Sequence, residues 1–330
     1  RLGFLVRYTG QVVAILMIGP GAARLTNILR CRWFDMVLFT RSWIDSATGV
    51  VMSIKYGIMG ASGQLGRKTM DVVLERVTAP GDVVALVRSP EKMGEYAAMG
   101  VDVRWADYDD PASLMESFQG IDRLLLIPSL ALPPDRVRQY ENALAAARKA
   151  QADHVMHNSI VSTSVDSPFS VTPFLLYAES ALKNCGLRWT VLRNGLYADP
   201  IVDWVPEILK MGTIPYPTGD GRCSYVSRGD IARAGAAALT TVGHVGKVYN
   251  LTGPEALTTR DLCHIVATVT GKSVTDSRAT DEDYLEACSK DGTPELLAHL
   301  LLTMYHAIRR GFMDVVTDDI EALTGRPPER

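Results

Sequence analysis

From Ile54 onward, short apolar runs alternate with stretches whose apolar positions recur at helical spacing. Ile54–Met59, Val83–Val87, Val101–Trp105, Leu124–Ile127, Val155–Asn158 and Trp189–Leu192 read as strands. Between them Leu65–Val77, Glu91–Ala98, a segment opening at Asp110-Pro111, Asp135–Ala150 and Pro173–Cys185 read as helices. Asp110 suits an N-cap, and Pro111 a first helical position. Strands separated by helices of this length require right-handed crossovers, and uninterrupted apolar runs suit strands covered on both faces. The pattern predicts an α/β fold: a doubly wound parallel sheet of the Rossmann type.

The pattern changes after about residue 195. Trp204, Pro206, Ile208, Leu209, Met211, Ile214 and Tyr216 form an apolar stretch, which reads partly as packing and partly as cavity wall. Gly219–Tyr225 reads as a tight turn and an added strand. Helices are predicted from Asp230, as its cap, to Leu239, from Thr258 to Thr270, over Asp281–Lys290 and over Pro294–Arg310. Lys247–Leu251 reads as a strand returning to the sheet. Met304, Tyr305 and Phe312 are assigned to the core, and no helix is predicted beyond Arg310. The expected organisation is a nucleotide-binding domain over 52–195 and a smaller, mostly helical substrate domain over 196–330, with 247–251 rejoining the first.

Residues 1–51 stand apart by charge. They carry Arg1, Arg7, Arg24, Arg30, Arg32 and Arg41, no Lys, and only Asp35 and Asp45 as acids, a net +4 in a chain of net −3. Such composition fits a transit peptide. The reading adopted is an extension outside the functional domain, because Met52 directly precedes the first strand. Val12–Ile18 is too short to span a membrane and stops at Gly19-Pro20-Gly21. The weakly acidic balance gives no nucleic-acid footprint. Five scattered cysteines lack metal spacing, so no metal site is expected, and their odd number argues for reduced thiols and a cytoplasmic protein.

The candidate chemistry begins at Gly60-Ala61-Ser62-Gly63-Gln64-Leu65-Gly66, where a buried strand breaks into a glycine turn and a helix starts. Bare backbone and the helix dipole there favour a pyrophosphate. Gly60, Ser62, Gly63, Gln64, Leu65 and Gly66 are therefore assigned to cofactor binding, although glycine spacing alone also describes an ordinary turn. The second strand ends at Arg88, where an NAD site usually has an acid; a cation suits the 2′-phosphate of NADP. Arg88, with Lys92 nearby, is assigned to that phosphate, the other reading being a solvated surface cation. Asp107 and Tyr108 follow the third strand, near the adenine edge, and Pro128 and Ser129 end the fourth; both pairs also suit turns. Asn158 and Ser159 belong at the carboxyl end of the fifth strand, facing the nicotinamide. His154 and His157 point to opposite faces of that strand and read as structural.

Together with Leu192-Arg193-Asn194-Gly195-Leu196-Tyr197, Ser227–Ala232 and Gly246–Leu251, these motifs resemble the NmrA-like, atypical short-chain dehydrogenase/reductase family. The likeness runs from about Ser53 to Thr324 and is strongest to its NADPH:quinone oxidoreductase and triphenylmethane-dye reductase members. It implies NADPH as cofactor, Asn194 to Tyr197 flanking the nicotinamide and substrate, and a possible homodimer. Tyr197 and Trp204 are the substrate-side candidates.

The resemblance has a gap. Many members use a Tyr with a Lys four residues on, yet none of the twelve tyrosines here has that Lys. Quinone and dye reductases often carry His and Glu four apart in the helix after the fifth strand. Here Leu175 and Glu179 align, so Glu179 and the neighbouring Tyr177 remain as weak catalytic candidates. Electrophilic aromatics need no such relay, because they accept hydride directly. The expected function is therefore NADPH-dependent reduction of quinones, dyes or azo compounds. The alternative is a non-catalytic NADP-binding redox sensor.

Overall fold

The computed structural model describes residues 53–132 and 134–330, together with four short strand segments before them. The chain divides into two units, Arg1–Ser53 and Ile54–Arg330. In the first, Leu5–Tyr8 pairs antiparallel with Gln11–Ala14, and Trp43–Ile44 with Val51–Met52. The reading of residues 1–51 as an extension falls mostly outside the described residues.

The second unit is built on a seven-stranded, wholly parallel sheet. Its strands are β1 (Tyr56–Met59), β2 (Val83–Val87), β3 (Asp102–Trp105), β4 (Arg123–Leu126), β5 (His154–Ile160), β6 (Arg188–Asn194) and, after a short outlying β7 (Thr213–Ile214), β8 (Lys247–Leu251). The spatial order is β8-β6-β5-β4-β1-β2-β3. The chain winds outward from β1 to β3, then returns to place β4 on the other side of β1. That reversal opens a crevice above the carboxyl ends of β1 and β4.

Strand alternation divides the core between two faces. Ile58, Ala85, Leu125 and Met156 point to one side, against Met70 and Val73 of α1 (Gln64–Leu74) and Ile231 and Ala234 of α7 (Arg228–Thr240). Met59, Val84, Leu86 and Leu124 point to the other. There they meet Leu114 of α3 (Pro111–Ser117), Ala143 and Ala147 of α4 (Asp135–Lys149), and Phe174 and Leu175 of α5 (Thr172–Asn184). The remaining crossover, after β2, is a 3₁₀ turn over Pro90–Met93 followed by a short α2 (Gly94–Ala98).

The last third adds α6 (Asp199–Met211), α8 (Thr259–Thr270), α9 (Asp281–Lys290), α10 (Glu295–Arg309) and α11 (Asp319–Thr324), with β7 pairing β9 (Thr275–Asp276). Several expectations change here. The strand predicted within Gly219–Tyr225 is only a single bridge, Cys223 to Leu257. Ser227, not Asp230, caps α7, accepting from the Asp230 N–H at 3.0 Å. Asp230 itself is fully buried and ion-paired to Arg233. The apolar stretch after Tyr197 is mostly the helix α6, which accommodates Pro206. The unpredicted α11 seats Ile320 and Leu323 against the same core face as α7. Asp110 and Thr258 cap as expected, Thr258 in a reciprocal box with Asp261. No helix among the described residues is long and apolar enough to cross a membrane.

Candidate active site

The glycine turn has a specific construction. Gly60 adopts φ +83°, a backbone region that disfavours side chains, and its N–H donates to the Leu86 carbonyl at 3.0 Å. The Gly63 N–H donates to the Gly60 carbonyl at 3.1 Å, closing the turn. At Gly66 an added Cβ would lie 2.2 Å from the Gly60 oxygen and 2.8 Å from Ala61 Cα, so α1 rests directly on the loop. Gly63 stands at the N-cap of α1 with no side-chain cap, and the first turn carries no acidic residue. The first amides of α1 are therefore available to an anion.

A cleft of about 750 Å³ opens from this turn across the carboxyl ends of the strands. Gly60, Ser62, Gly63, Gln64, Leu65, Gly66, Arg88, Asp107, Tyr108, Pro128, Ser129, Asn158, Ser159, Asn194 and Tyr197 all line it. Arg88 stands exposed at the tip of β2 and makes no ion pair among the described residues. Tyr108 is buried, its hydroxyl donating to the Ile127 carbonyl at 2.9 Å, and burial pushes its pKa far up. Ser129 donates to Gln139. Asn158 and Asn194 each leave a buried Oδ1 without a donor partner among the described residues, as a site built for a polar ligand would.

Three predicted residues lie elsewhere. Lys92 sits in the 3₁₀ turn after Arg88, where its carbonyl accepts from Arg67 Nη2 at 2.5 Å, and it does not line the cleft. Tyr177 is on the exposed side of α5, hydrogen-bonded to Glu141. Glu179 is buried beneath the cleft floor as an ion-pair partner. It accepts from Arg193 at 2.9 and 2.7 Å, from Lys183 at 3.2 Å and from the Ser159 hydroxyl at 2.8 Å. Burial alone would raise its pKa, but the bonds and charge of Arg193 outweigh that and hold it below the ordinary carboxylate range. A carboxyl so held is an anchor for β6 and Ser159 rather than a proton donor.

The structure also brings in residues that the sequence reading passed over. Arg136 and Arg228 line the cleft, and Asp107 is the one carboxylate residue among the lining. Both arginines occupy the first turn of a helix, α4 and α7 respectively. The helix dipole disfavours a cation there, and that misplacement was the available signal. Arg228 is accounted for by Asp199 at 3.6 Å and by the Tyr197 ring, whose centroid is 4.7 Å from its guanidinium carbon. Arg136 is half-buried, its guanidinium 4.4 Å from the centre of the Phe174 ring. Burial lowers its pKa to about 10, which leaves it a cation at neutral pH.

Beyond Leu196 and Tyr197, which line both spaces, lies a second cavity of about 1030 Å³. Trp204 lines it and stacks on Tyr216, ring centres 6.0 Å apart and 9° from parallel. Tyr216 in turn stacks on Tyr305 at 5.0 Å. Tyr305 is buried in a core cluster with Met304 and Phe312 packed against it, as expected from the sequence, and Met304 and Tyr305 also line this cavity. The described residues contain no grouping of three or more His, Cys, Asp or Glu side chains able to hold a metal ion.

The arrangement can therefore hold a dinucleotide: a glycine turn at a helix N-terminus, an exposed cation at the β2 tip, amide oxygens with no donor among the described residues and a crevice at the sheet's switch point. Comparison with known proteins agrees. Residues 60–241 match the family model described as NAD(P)H-binding. The chain is similar to quinone oxidoreductase 2 of Escherichia coli (strain K12), 33% identical over 270 residues, which is 82% of this chain and 93% of the relative. Among solved structures it is similar to an Escherichia coli NADPH-dependent quinone oxidoreductase complexed with NADPH. There the TM-score is 0.79 and the identity 32%, over 83% of this chain and 96% of the other. It is also similar to the Citrobacter sp. triphenylmethane reductase complexed with NADP(H), with a TM-score of 0.78 and 30% identity over the same shares. The chain belongs to the NAD(P)H-binding, NmrA-like family of oxidoreductases.

Proposed function

We propose that this protein is an NADPH-dependent reductase of quinones and related electrophilic aromatics, such as cationic dyes and azo compounds, and that it works without a Tyr–Lys proton relay. The observation that carries this reading is the aromatic-walled cavity opening on the nucleotide cleft at Leu196 and Tyr197. In this reading Gly60, Ser62, Gly63, Gln64, Leu65 and Gly66 hold the pyrophosphate and Arg88 the 2′-phosphate. Asp107 and Tyr108 border the adenine. Pro128, Ser129, Asn158, Ser159 and Asn194 orient the nicotinamide half. NADPH, when bound, supplies a hydride.

The residues around the cavity favour an acceptor that needs no protein acid. The Tyr108 hydroxyl is engaged by a backbone carbonyl, and burial raises the pKa of Tyr197 despite the opposing effects of Asn194 and Arg228. An unactivated ketone would need a proton delivered in the transition state, whereas a quinone takes hydride first and a proton from solvent afterwards, and a cationic dye becomes neutral on taking hydride and needs no proton. The stacked Trp204, Tyr216 and Tyr305 line the cavity with aromatic rings suited to such acceptors. Similarity to a quinone reductase and a dye reductase supports the same substrate class.

Steady-state oxidation of NADPH by the purified protein, followed over a panel of quinones, triphenylmethane dyes and azo compounds, tests this reading. Turnover of at least one of these classes, with unactivated ketones left untouched, is the expected result. Tight NADP binding with no turnover of any of them would overturn it in favour of a redox sensor.

A further inference from the structure

Arg136 stands out among the basic residues of the cleft. Arg88 is exposed at the strand tip, and Arg228 is partnered by Asp199. Arg136 is half-buried, and its Nε is fully buried with no hydrogen-bond acceptor among the described residues. Its side chain makes no ion pair among them either. The buried carboxylate of Glu179 is occupied by Arg193 and Lys183. The guanidinium instead lies over the Phe174 ring, and it interacts electrostatically with Tyr108 and Tyr197. Tyr197 marks the junction between cleft and aromatic cavity. A positive charge is thus held in the wall of the cleft, poorly solvated, against the dipole of its own helix and within electrostatic reach of Tyr197, which lines both spaces.

We propose that Arg136 stabilises the aryloxide charge that appears on a quinone acceptor when hydride is added to it. The proposal rests on the reductase reading above. Hydride addition brings two electrons and one hydrogen nucleus to a quinone, leaving the hydroquinone monoanion; a proton from water then completes the hydroquinone. The acceptor is neutral before the step and anionic after it, so a fixed, poorly solvated cation favours the later state selectively. This is the electrostatic help that a Tyr–Lys pair would otherwise provide. It requires no proton from the protein, in keeping with the high pKa values of Tyr108 and Tyr197.

The test uses 4-nitrophenol, a single-ring phenol whose anion absorbs visible light, bound to the intact protein saturated with NADP⁺. The bound phenol should ionise more readily than in solution, the protein preferring its anion over the neutral form by about tenfold or more, equivalent to one pKa unit. Arg136→Gln should abolish that preference, Arg136→Met should do the same while keeping an apolar stem over Phe174, and Arg136→Lys should retain part of it. NADP⁺ affinity, measured separately by calorimetry, should change by less than about threefold, far below the effect of losing a charged partner. Neutral binding of the phenol by wild type, absence of saturable binding, or an anion preference surviving in both neutral variants would overturn the proposal. So would a collapse of NADP⁺ affinity in those variants, which would assign Arg136 to the cofactor. Because 4-nitrophenol is bound and not reduced, the result is independent of quinone turnover, and failure of the reductase reading would show separately in the NADPH assay.

Discussion

Arg88 and Glu179 show how surroundings decide what a charge does. Arg88 keeps its guanidinium in the open at the end of β2, with no ion pair among the described residues, so its charge is available to a ligand. Arg88→Ala should weaken NADPH binding by about tenfold or more, the worth of a charge-assisted hydrogen bond of about 1.5–3 kcal/mol, and leave NADH binding unchanged. Fluorescence titration with both nucleotides checks this. Glu179 has the opposite fate, its carboxylate enclosed by Arg193, Lys183 and Ser159. Glu179→Gln should cost about 3 kcal/mol of stability at neutral pH, because it leaves Arg193 without its counter-charge. The sign with pH follows from the lowered folded-state pKa. The wild-type carboxylate contributes fully above the unfolded carboxyl pKa and loses its contribution as pH falls through the folded value. Denaturant midpoints of wild type and variant should therefore converge in acid.

The strand–turn–helix unit at Gly60–Leu74 joins stability to the proposed binding, since the contact of α1 with the Gly60–Ala61 backbone sets where its first amides, the proposed pyrophosphate donors, stand. Gly66→Ala forces a methyl group to within 2.2 Å of the Gly60 oxygen, with backbone on both sides and no flexible side chain to yield. The helix must lift from the loop, at a cost of about 1–3 kcal/mol for overpacking. Thermal unfolding should show a lower midpoint and, more tellingly, a much smaller rise on adding NADP⁺. β5 makes a related point about element ends. The predicted strand stops at Asn158, whereas the observed one runs on to Ile160, paired with Asn194 of β6. Asn158 and Ser159 therefore project from a rigid, hydrogen-bonded strand rather than from a loop. That rigidity suits them to orient a planar ring.

Across the whole molecule, the centre of the sheet carries two histidines held neutral. His154 Nε2 lies 2.8 Å from Thr190 Oγ1 on β6, while His157 is packed beside Tyr140 with ring centres 4.8 Å apart. Burial lowers their pKa values to about 4 and about 3. Between those values and the ordinary 6.5 the unfolded chain binds protons that the folded chain refuses, so stability falls as pH drops through that window. His157→Phe, which keeps an aromatic ring against Tyr140, should flatten the decline in thermal midpoint between about pH 6.5 and 4. An unchanged slope would mean that the decline arises elsewhere.

The nucleotide-binding half was legible because its information is local. Buried parallel strands need continuous apolar runs, crossovers need amphipathic helices, and a helix meeting a phosphate needs glycines at one turn, all within a few residues of one another. The place of Arg88 at a strand tip in the cleft could be read for the same reason, since a strand tip is defined by the strand before it. The switch point then aligned Asp107, Pro128, Asn158 and Asn194 along one crevice, because all follow or end strands of one parallel sheet. Other features depended on distant neighbours. Glu179 could be an acid until Arg193 from the next strand closed on it, and Lys92 a phosphate ligand until the 3₁₀ turn carried it away from the cleft. Tyr305 was legible as core, but that it also borders a cavity depended on Trp204 and Tyr216 from elsewhere in the chain. Arg136 is an ordinary surface-type residue in the sequence. Only Phe174 beneath it, the lack of an ion-pair partner among the described residues and its place in the cleft wall make its charge consequential, because the strength of a charge depends on the medium and partners that the rest of the fold supplies.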